Sequence, residues 1–352
     1  MASQRQARLA FIGCGGFATA SIFPNIPSVP EIDLIATCDV VAEKAERNAR
    51  NFGARRWYSN AEEMLDKEEL DGVFVIGPAP QQYELAPMVL KRGLPVYVEK
   101  PSANTSGEAR ELAELAERHG TWGQCGFMKR FAYVYRIAKE IMAQQEFGPL
   151  QMANIKFGQG PYPQIWGIDS YKRAFLIGQC CHLFDLARYM AGDVASVSAL
   201  INEAGENRCG YLINAAYANG AIGQINLNCY ENSVGFRDIQ ERLEVYGAGQ
   251  SIHCEHMRSV RYFASADWTK AVPNTGPFTY DYNPSWTGTA NSRDQYGYLG
   301  EVRHFALRCL GEVSDGPDLW DSYESLRFGE AVYDSAHGAG TVTIPARAAA
   351  TA

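Results

Sequence analysis

The chain has 352 residues, 46% of them apolar, enough for a substantial core and about two domains. Its net charge of -8 is spread without long like-charge runs, which argues against a nucleic-acid ligand and a basic membrane-binding face, and no apolar run approaches a membrane span. Small neutral or polar ligands suit such a surface better.

The start MASQRQARLAFIG passes from polar residues into a strand without a signal-peptide core, so a cytoplasmic location is expected. From residue 9 to 127 the pattern alternates: LAFIG, DLIATCD, DGVFVIG, LPVYVEK and TWGQCGF read as strands, with helix-length amphipathic stretches between them. That is a parallel sheet wrapped by helices. Ser59 with Glu62 and Thr105 with Glu108 have capping-box spacing, and Gly53, Gly93 and Gly120 sit where helices should stop.

Directly after the first strand comes GCGGFA, with Gly13, Gly15 and Ala18 spaced as in a dinucleotide-binding fingerprint. Gly13 permits the tight turn, Gly15 lets the backbone approach a pyrophosphate, Ala18 allows close helix-to-strand packing, and the next helix should aim its first amides at the phosphates. The second strand ends at Asp39, a carboxylate placed to accept hydrogen bonds from a ribose hydroxyl pair and to repel a 2′-phosphate. The following VVAEK offers no immediate arginine to neutralise such a phosphate, so NAD is expected rather than NADP.

Beyond residue 127 the pattern gives a helix near 178–191 and then β-rich segments: SVSALIN, GYLINAAYA, AIGQINLNCY, RLEVYGA and QSIHCE. The turn ANGA at 218–221 predicts antiparallel neighbours. Residues 266–292 read as a long loop carrying Trp268 and Trp286, and helices near 296–310 and 318–336 close the chain. Nine cysteines, an odd number without CxxC pairs, point to buried thiols rather than a disulfide framework. The cluster HCEH holds two histidines, but in a strand His253 and His256 would face opposite sides, so no metal site is expected. In the helix, Leu183, Leu186, Ala187 and Met190 form an apolar stripe, whereas His182, Asp185 and Tyr189 fall along another face.

Taken together, GCGGFA, Asp39, GPAPQQYELA (77–86) and EKPSA (99–103) resemble the Gfo/Idh/MocA oxidoreductases, and GFMKRF (126–131) and GQCCHLFDLARYMAG (178–192) are similar to that family's domain junction and second-domain helix. The resemblance implies α/β architecture: a Rossmann domain over 1–127 and an α+β domain over 128–352 with a large open, mainly antiparallel sheet. It also implies that the last helices pack back on the first domain and that the sheet serves homo-oligomer contacts. Cofactor contacts would come from Gly13, Gly15, Gly16, Phe17, Ala18, Asp39, Val40, Gly77, Pro78, Gln82, Glu99 and Lys100. Lys100 and His182 would flank the reacting carbon, His182 as general base and Lys100 polarising the oxygen. Arg130, Gln159, Trp166 and Gln179 join them as candidate substrate contacts, the aromatic and amide groups suiting a carbohydrate.

Two positions depart from the family pattern. Where the helix commonly carries Asp four residues before the His, this chain has Gly178, and Gln82 stands where a His is common. The glycine should leave space for a bulkier substrate, or for a substrate hydroxyl, a water or Gln179 to complete the network. The expected activity is NAD-dependent oxidation of a secondary hydroxyl on a sugar, polyol or glycoside. Its alternatives are a redox-neutral glycosidase or epimerase working by transient oxidation with retained NAD, and a noncatalytic NAD- or sugar-binding protein.

Overall fold

The computed structural model describes residues 5–231, 240–263, 279–282 and 295–347, and the chain divides into two compact units. The first runs to Phe131 and includes Tyr296–Leu326; the second takes Ala132–Gln295 and the residues from Arg327 onward.

In the first unit six strands form one parallel sheet: β1 (Ala7–Ile12), β2 (Ile32–Cys38), β3 (Arg56–Tyr58), β4 (Gly72–Val75), β5 (Val96–Val98) and β6 (Gly123–Cys125), in the order β3-β2-β1-β4-β5-β6. The helices α1 (Ala42–Phe52), α2 (Ala61–Lys67), α3 (Ala79–Leu90) and α4 (Ser106–Arg118) connect them. Strand periodicity divides the core into two faces. Ala10, Ile12, Val73, Val75, Val96 and Val98 belong to the aliphatic cluster that includes Ala86, Val89, Leu112 and Ala113 of α3 and α4. Phe11, Phe74 and Tyr97 point the other way; Phe11 and Phe74 stack at 4.3 Å, and Phe305, from a later helix of this unit, meets Phe74 edge-on at 4.8 Å.

Three local expectations change. Strand β3 was not read from the sequence because RWY is short and mostly exposed at the sheet edge. The segment after the glycines is not a regular α-helix: a π-helical turn, Ala18–Ile22, passes into a 3-10 segment, Phe23–Ser28, where Pro24 and Pro27 withhold the amides an α-helix needs. The cap of α2 is Asn60, whose side chain accepts from the Glu63 N–H at 3.0 Å, rather than Ser59. Thr105 and Glu108 do form a reciprocal capping box at α4.

The second unit contains α5 (Tyr133–Met142), β7 (Met152–Gly158), a long helical segment, and then β8 (Val194–Glu203), β9 (Cys209–Tyr217), β10 (Ile222–Asn228), β11 (Gln240–Tyr246), β12 (Ser251–Glu255), β13 (Ser259–Phe263) and β14 (Thr279–Tyr282). After α8 (Tyr298–Cys309) and α9 (Leu319–Asp334), β15 (Val342–Thr343) completes a nine-stranded sheet in the order β14-β13-β12-β11-β7-β10-β9-β8-β15. Only β7 with β10 is a parallel pair among these described strands. The 218–221 turn joins β9 to β10 as expected, with Gly220 at φ 89° and Asn219 Oδ1 accepting from the Ala221 N–H at 3.0 Å.

β7, α5, β13 and β14 went unread, and β14 lies inside the stretch taken for a loop; Trp268 and Trp286 fall outside the described residues. The helical segment begins well before 178: α6 (Tyr171–Ala174), capped by Ser170, runs through a π-helical stretch, Phe175–Cys180, into α7 (Cys181–Ala191). Nor is α7 two-faced, since His182 is 5% and Asp185 0% exposed alongside the apolar stripe. β12 ends at Glu255, so His256, at φ 54°, lies beyond the strand rather than on its opposite face. All nine cysteines are free thiols, eight of them buried. No helix among the described residues is long and apolar enough to cross a membrane.

Candidate functional site

The carboxyl ends of the parallel strands gather the first group of candidate residues. In a sheet of this order the strand order reverses between the parallel neighbours β1 and β4, and ligands bind outside the strand ends there. Gly13 follows β1 at φ 102°, and a Cβ on it would stand 1.9 Å from the carbonyl oxygen of Ile76, which follows β4. Only glycine allows that approach. Among the described residues nothing lies within 4 Å of where a Cβ on Gly15 or Gly16 would be, leaving a clear cradle over the backbone, while Ala18 is buried. Asp39, just past β2, is held from both sides: its two carboxylate oxygens accept the N–H of Cys14 at 2.8 Å and of Val41 at 2.9 Å. Each oxygen keeps lone-pair capacity for a further donor. Val40, 91% exposed, and the exposed Phe17 and Pro78 lie near these ends, with Gly77 half-buried. An open glycine cradle beside a fixed carboxylate fits a dinucleotide with free ribose hydroxyls.

Lys100 lies two residues past β5, followed by a cis bond to Pro101. Its backbone is clamped by Gln82, buried in α3: the side-chain amide donates to the carbonyls of Glu99 at 2.8 Å and Pro101 at 2.9 Å and accepts from the Glu99 N–H at 2.8 Å. Both amide protons are thereby engaged, so Gln82 serves the frame of Lys100 rather than presenting a donor to a cofactor. A histidine, with one donor and one acceptor when neutral, could not make all three bonds. Glu99 turns inward and is 4% exposed. Arg130, expected to face substrate, pairs instead with Asp321 at 2.9 Å, both side chains largely covered.

The second unit carries His182 on the first turn of α7. One turn earlier the structure overturns the expected vacancy at Gly178. A Cβ there would stand 2.3 Å from Oη of Tyr162 and 3.3 Å from both Ile165 Cδ1 and Trp166 Cζ3. The room left by the absent side chain is therefore filled by the protein itself. Trp166 makes this approach from a left-handed backbone at φ 55°. Burial, reinforced by nearby Cys181, Cys180 and Cys229, pushes the Tyr162 phenol far up, so it stays a neutral donor. Gln179 is the one partly exposed residue between Ala174 and Ala187. Gln159 continues β7 through its backbone, donating to Asn228 O and accepting from Glu231 N, each at 3.0 Å. Tyr162 escaped sequence reading because it stands in an irregular segment, between Pro161 and Pro163, with no periodicity to single it out.

The family model described as "Oxidoreductase family, NAD-binding Rossmann fold" matches residues 7–127, and the GFO/IDH/MocA C-terminal domain matches 135–253. The chain belongs to the GFO/IDH/MocA oxidoreductases. Among curated relatives of this oxidoreductase, the scyllo-inositol 2-dehydrogenase (NAD(+)) of Bacillus subtilis strain 168 is 27% identical over 197 residues, spanning 55% of this chain and 57% of that enzyme. A solved dehydrogenase from Chromobacterium violaceum superposes with TM-score 0.84 at 20% identity, covering 95% of this chain and 96% of its own. Levoglucosan dehydrogenase, in complex with NADH and L-sorbose, gives TM-score 0.79 at 19% identity over 97% of this chain and all 100% of that one. These two structural likenesses show the fold. NAD is the cofactor of the family to which the glycine cradle and Asp39 conform.

Proposed function

We propose that this protein oxidises a secondary hydroxyl of a sugar, polyol or glycoside with NAD, or reduces the matching ketone. The observation that carries the reading is the juxtaposition, on one edge of the parallel sheet, of the Gly13–Gly16 cradle, the doubly held Asp39 and the clamped Lys100. Relatives named for scyllo-inositol and levoglucosan support the substrate class. Bound NAD would supply the hydride acceptor for the substrate carbon. Asp39 orients the ribose end and disfavours a 2′-phosphate. Lys100 holds and polarises the reacting oxygen, and His182 takes the hydroxyl proton. Gln82 keeps Lys100 at its station, and Tyr162 supplies a neutral hydroxyl one turn before His182.

The test is a panel of inositols, aldoses, ketoses and glycosides, following both reduced nicotinamide and product, alongside titration with NAD and NADP. NAD should bind much more tightly than NADP, and at least one substrate should reduce it. Lys100→Ala and His182→Ala should each lower turnover by about a hundredfold or more while still binding NAD, the scale on which acid–base groups contribute. Full activity in either variant removes that residue from the mechanism. Product formed without net reduction would replace the dehydrogenase reading by a redox-neutral one.

A further inference from the structure

Behind the strand end that carries Lys100 lies a group of acids that the reaction above leaves unused. Tyr97 and Glu301 are fully buried, Glu99 is 4% and Tyr298 6% exposed, and all belong to the first unit. The Tyr97 hydroxyl donates to one carboxyl oxygen of Glu99 at 2.9 Å, and the other accepts the backbone N–H of Lys100 at 3.0 Å. Glu301, on the first turn of α8, also lies beside the Tyr97 hydroxyl. That hydroxyl has a single proton and gives it to Glu99, and among the described residues neither carboxyl oxygen of Glu301 has a formed hydrogen bond. Gly126 closes the pocket: a Cβ there would stand 2.6 Å from Tyr97 Oη and 2.9 Å from Glu99 Cδ. The groups facing the two carboxyls are thus Tyr97 from β5, Tyr298 from α8, with Tyr296 behind it, and the Lys100 ammonium.

Two carboxylates cannot both stay ionised in such a place, because burial penalises each charge and each repels the other. Burial pushes Glu99 up to about 7 against the pull of Lys100, while burial and then Glu99 raise Glu301 well above the carboxylate range. Glu301 therefore carries the proton, which it can donate to the Tyr97 oxygen, and Tyr97 in turn donates to Glu99. With one proton on the pair, its single negative charge balances the Lys100 ammonium. A second proton removes that balance.

Resting on the dehydrogenase reading, we propose that Glu99 and Glu301 are positioning residues that hold one shared proton behind Lys100, and that the enzyme loses activity on the acid side when the pair takes up a second. The step is a proton transfer only: solvent supplies the proton, an O–H bond forms on Glu99, and no electrons move.

Glu99→Gln tests this, since it keeps the volume and leaves no carboxylate on the pair to take up the second proton. The acid limb of turnover should disappear, with turnover at neutral pH lowered to about the level the wild type reaches at the acid end of its profile. An acid limb that stays in place, in a variant with the native circular dichroism spectrum, overturns the proposal. Should Glu99→Gln fail to fold, infrared difference spectra of the intact wild type, recorded across the same pH range, take over. A protonated, buried carboxylic-acid band growing along the acid limb supports the pair, and no such band rules it out. The infrared measurement needs no substrate. A band without any sugar or polyol turnover would therefore count against the proposed function alone, whereas turnover without a band would count against the proton pair alone.

Discussion

A methyl group built on Gly178 would stand 2.3 Å from the Tyr162 hydroxyl, far inside contact distance, with Ile165 and Trp166 closing the sides. The absent carboxylate is legible from the sequence as a departure from a family pattern, but its physical reason is not. Tyr162 reaches the helix from an irregular segment at no fixed spacing, so nothing in the pattern of residues announces the contact. Gly178→Asp should therefore destabilise the second unit by about 1–3 kcal/mol, the usual range for overpacking. It should impair turnover through displaced Tyr162 rather than through an excluded substrate. The same change should cost less in a Tyr162→Phe background, which removes the nearest contact, the hydroxyl, and keeps the ring, and a double-mutant cycle of denaturation midpoints measures that coupling. Strictly additive losses would mean that the hydroxyl is not what the glycine accommodates.

At the scale of elements, what was legible followed periodicity and what was not followed context. The strands flanking Gly13, Asp39 and Lys100 are apolar runs ended by turn or charged residues, so both the sheet and its ligand edge could be read in advance. Strand β7, central in its sheet, does carry a strand alternation, with Ala153, Ile155 and Phe157 buried between Asn154 and Lys156, so it was legible and went unread. The clamp of Gln82 on the Glu99–Pro101 backbone is a tertiary contact between elements, invisible to local patterning. The second sheet shows a further consequence of alternation. Tyr211, Ile213, Ala215 and Tyr217 of β9 are buried, whereas Leu212 on the other face is 49% exposed. Leu200 pairs with Leu212 in register, and Ile222 pairs with Ala216, which puts all three on that outward face, with Leu200 72% and Ile222 58% exposed. We propose that copies of the chain associate through this face, because covering what these side chains still expose contributes about 1–2 kcal/mol each. Sedimentation should give a mass above one chain, and Leu200→Glu with Leu212→Lys should reduce it. A monomeric wild type at micromolar concentration would dismiss the idea.

For the molecule as a whole, the buried acids set how stability depends on pH. A group whose folded pKa lies above its unfolded value contributes stability that is complete below the unfolded pKa and is lost as pH rises through the folded one. Glu99, raised from 4.5 to about 7, and Glu301, raised further, follow this sign, each removing stability at up to about 1.4 kcal/mol per pH unit once the unfolded carboxyl has ionised. His304, lowered by burial, opposes them over part of the same range with one proton against two. Glu68 and Asp71 are lowered by their arginine partners, so their contribution fails only as pH falls below the ordinary carboxylate range. On the alkaline side burial raises the Cys38 thiol to about 11 and Cys14 to about 12, and the core phenols Tyr97 and Tyr135 further still. These too shed stability once the unfolded thiols and phenols ionise, from about pH 9 upward. The formal charge of -8 at pH 7 adds self-repulsion in the same direction. The thermal midpoint should accordingly peak on the mildly acidic side, near pH 5, and decline through neutrality with a second, steeper fall above pH 9. Glu301→Gln should flatten the decline between pH 5 and 8 while leaving the alkaline fall intact. A wild-type midpoint that climbs from pH 5 to 8 would mean that Glu99 and Glu301 do not hold protons in the folded protein.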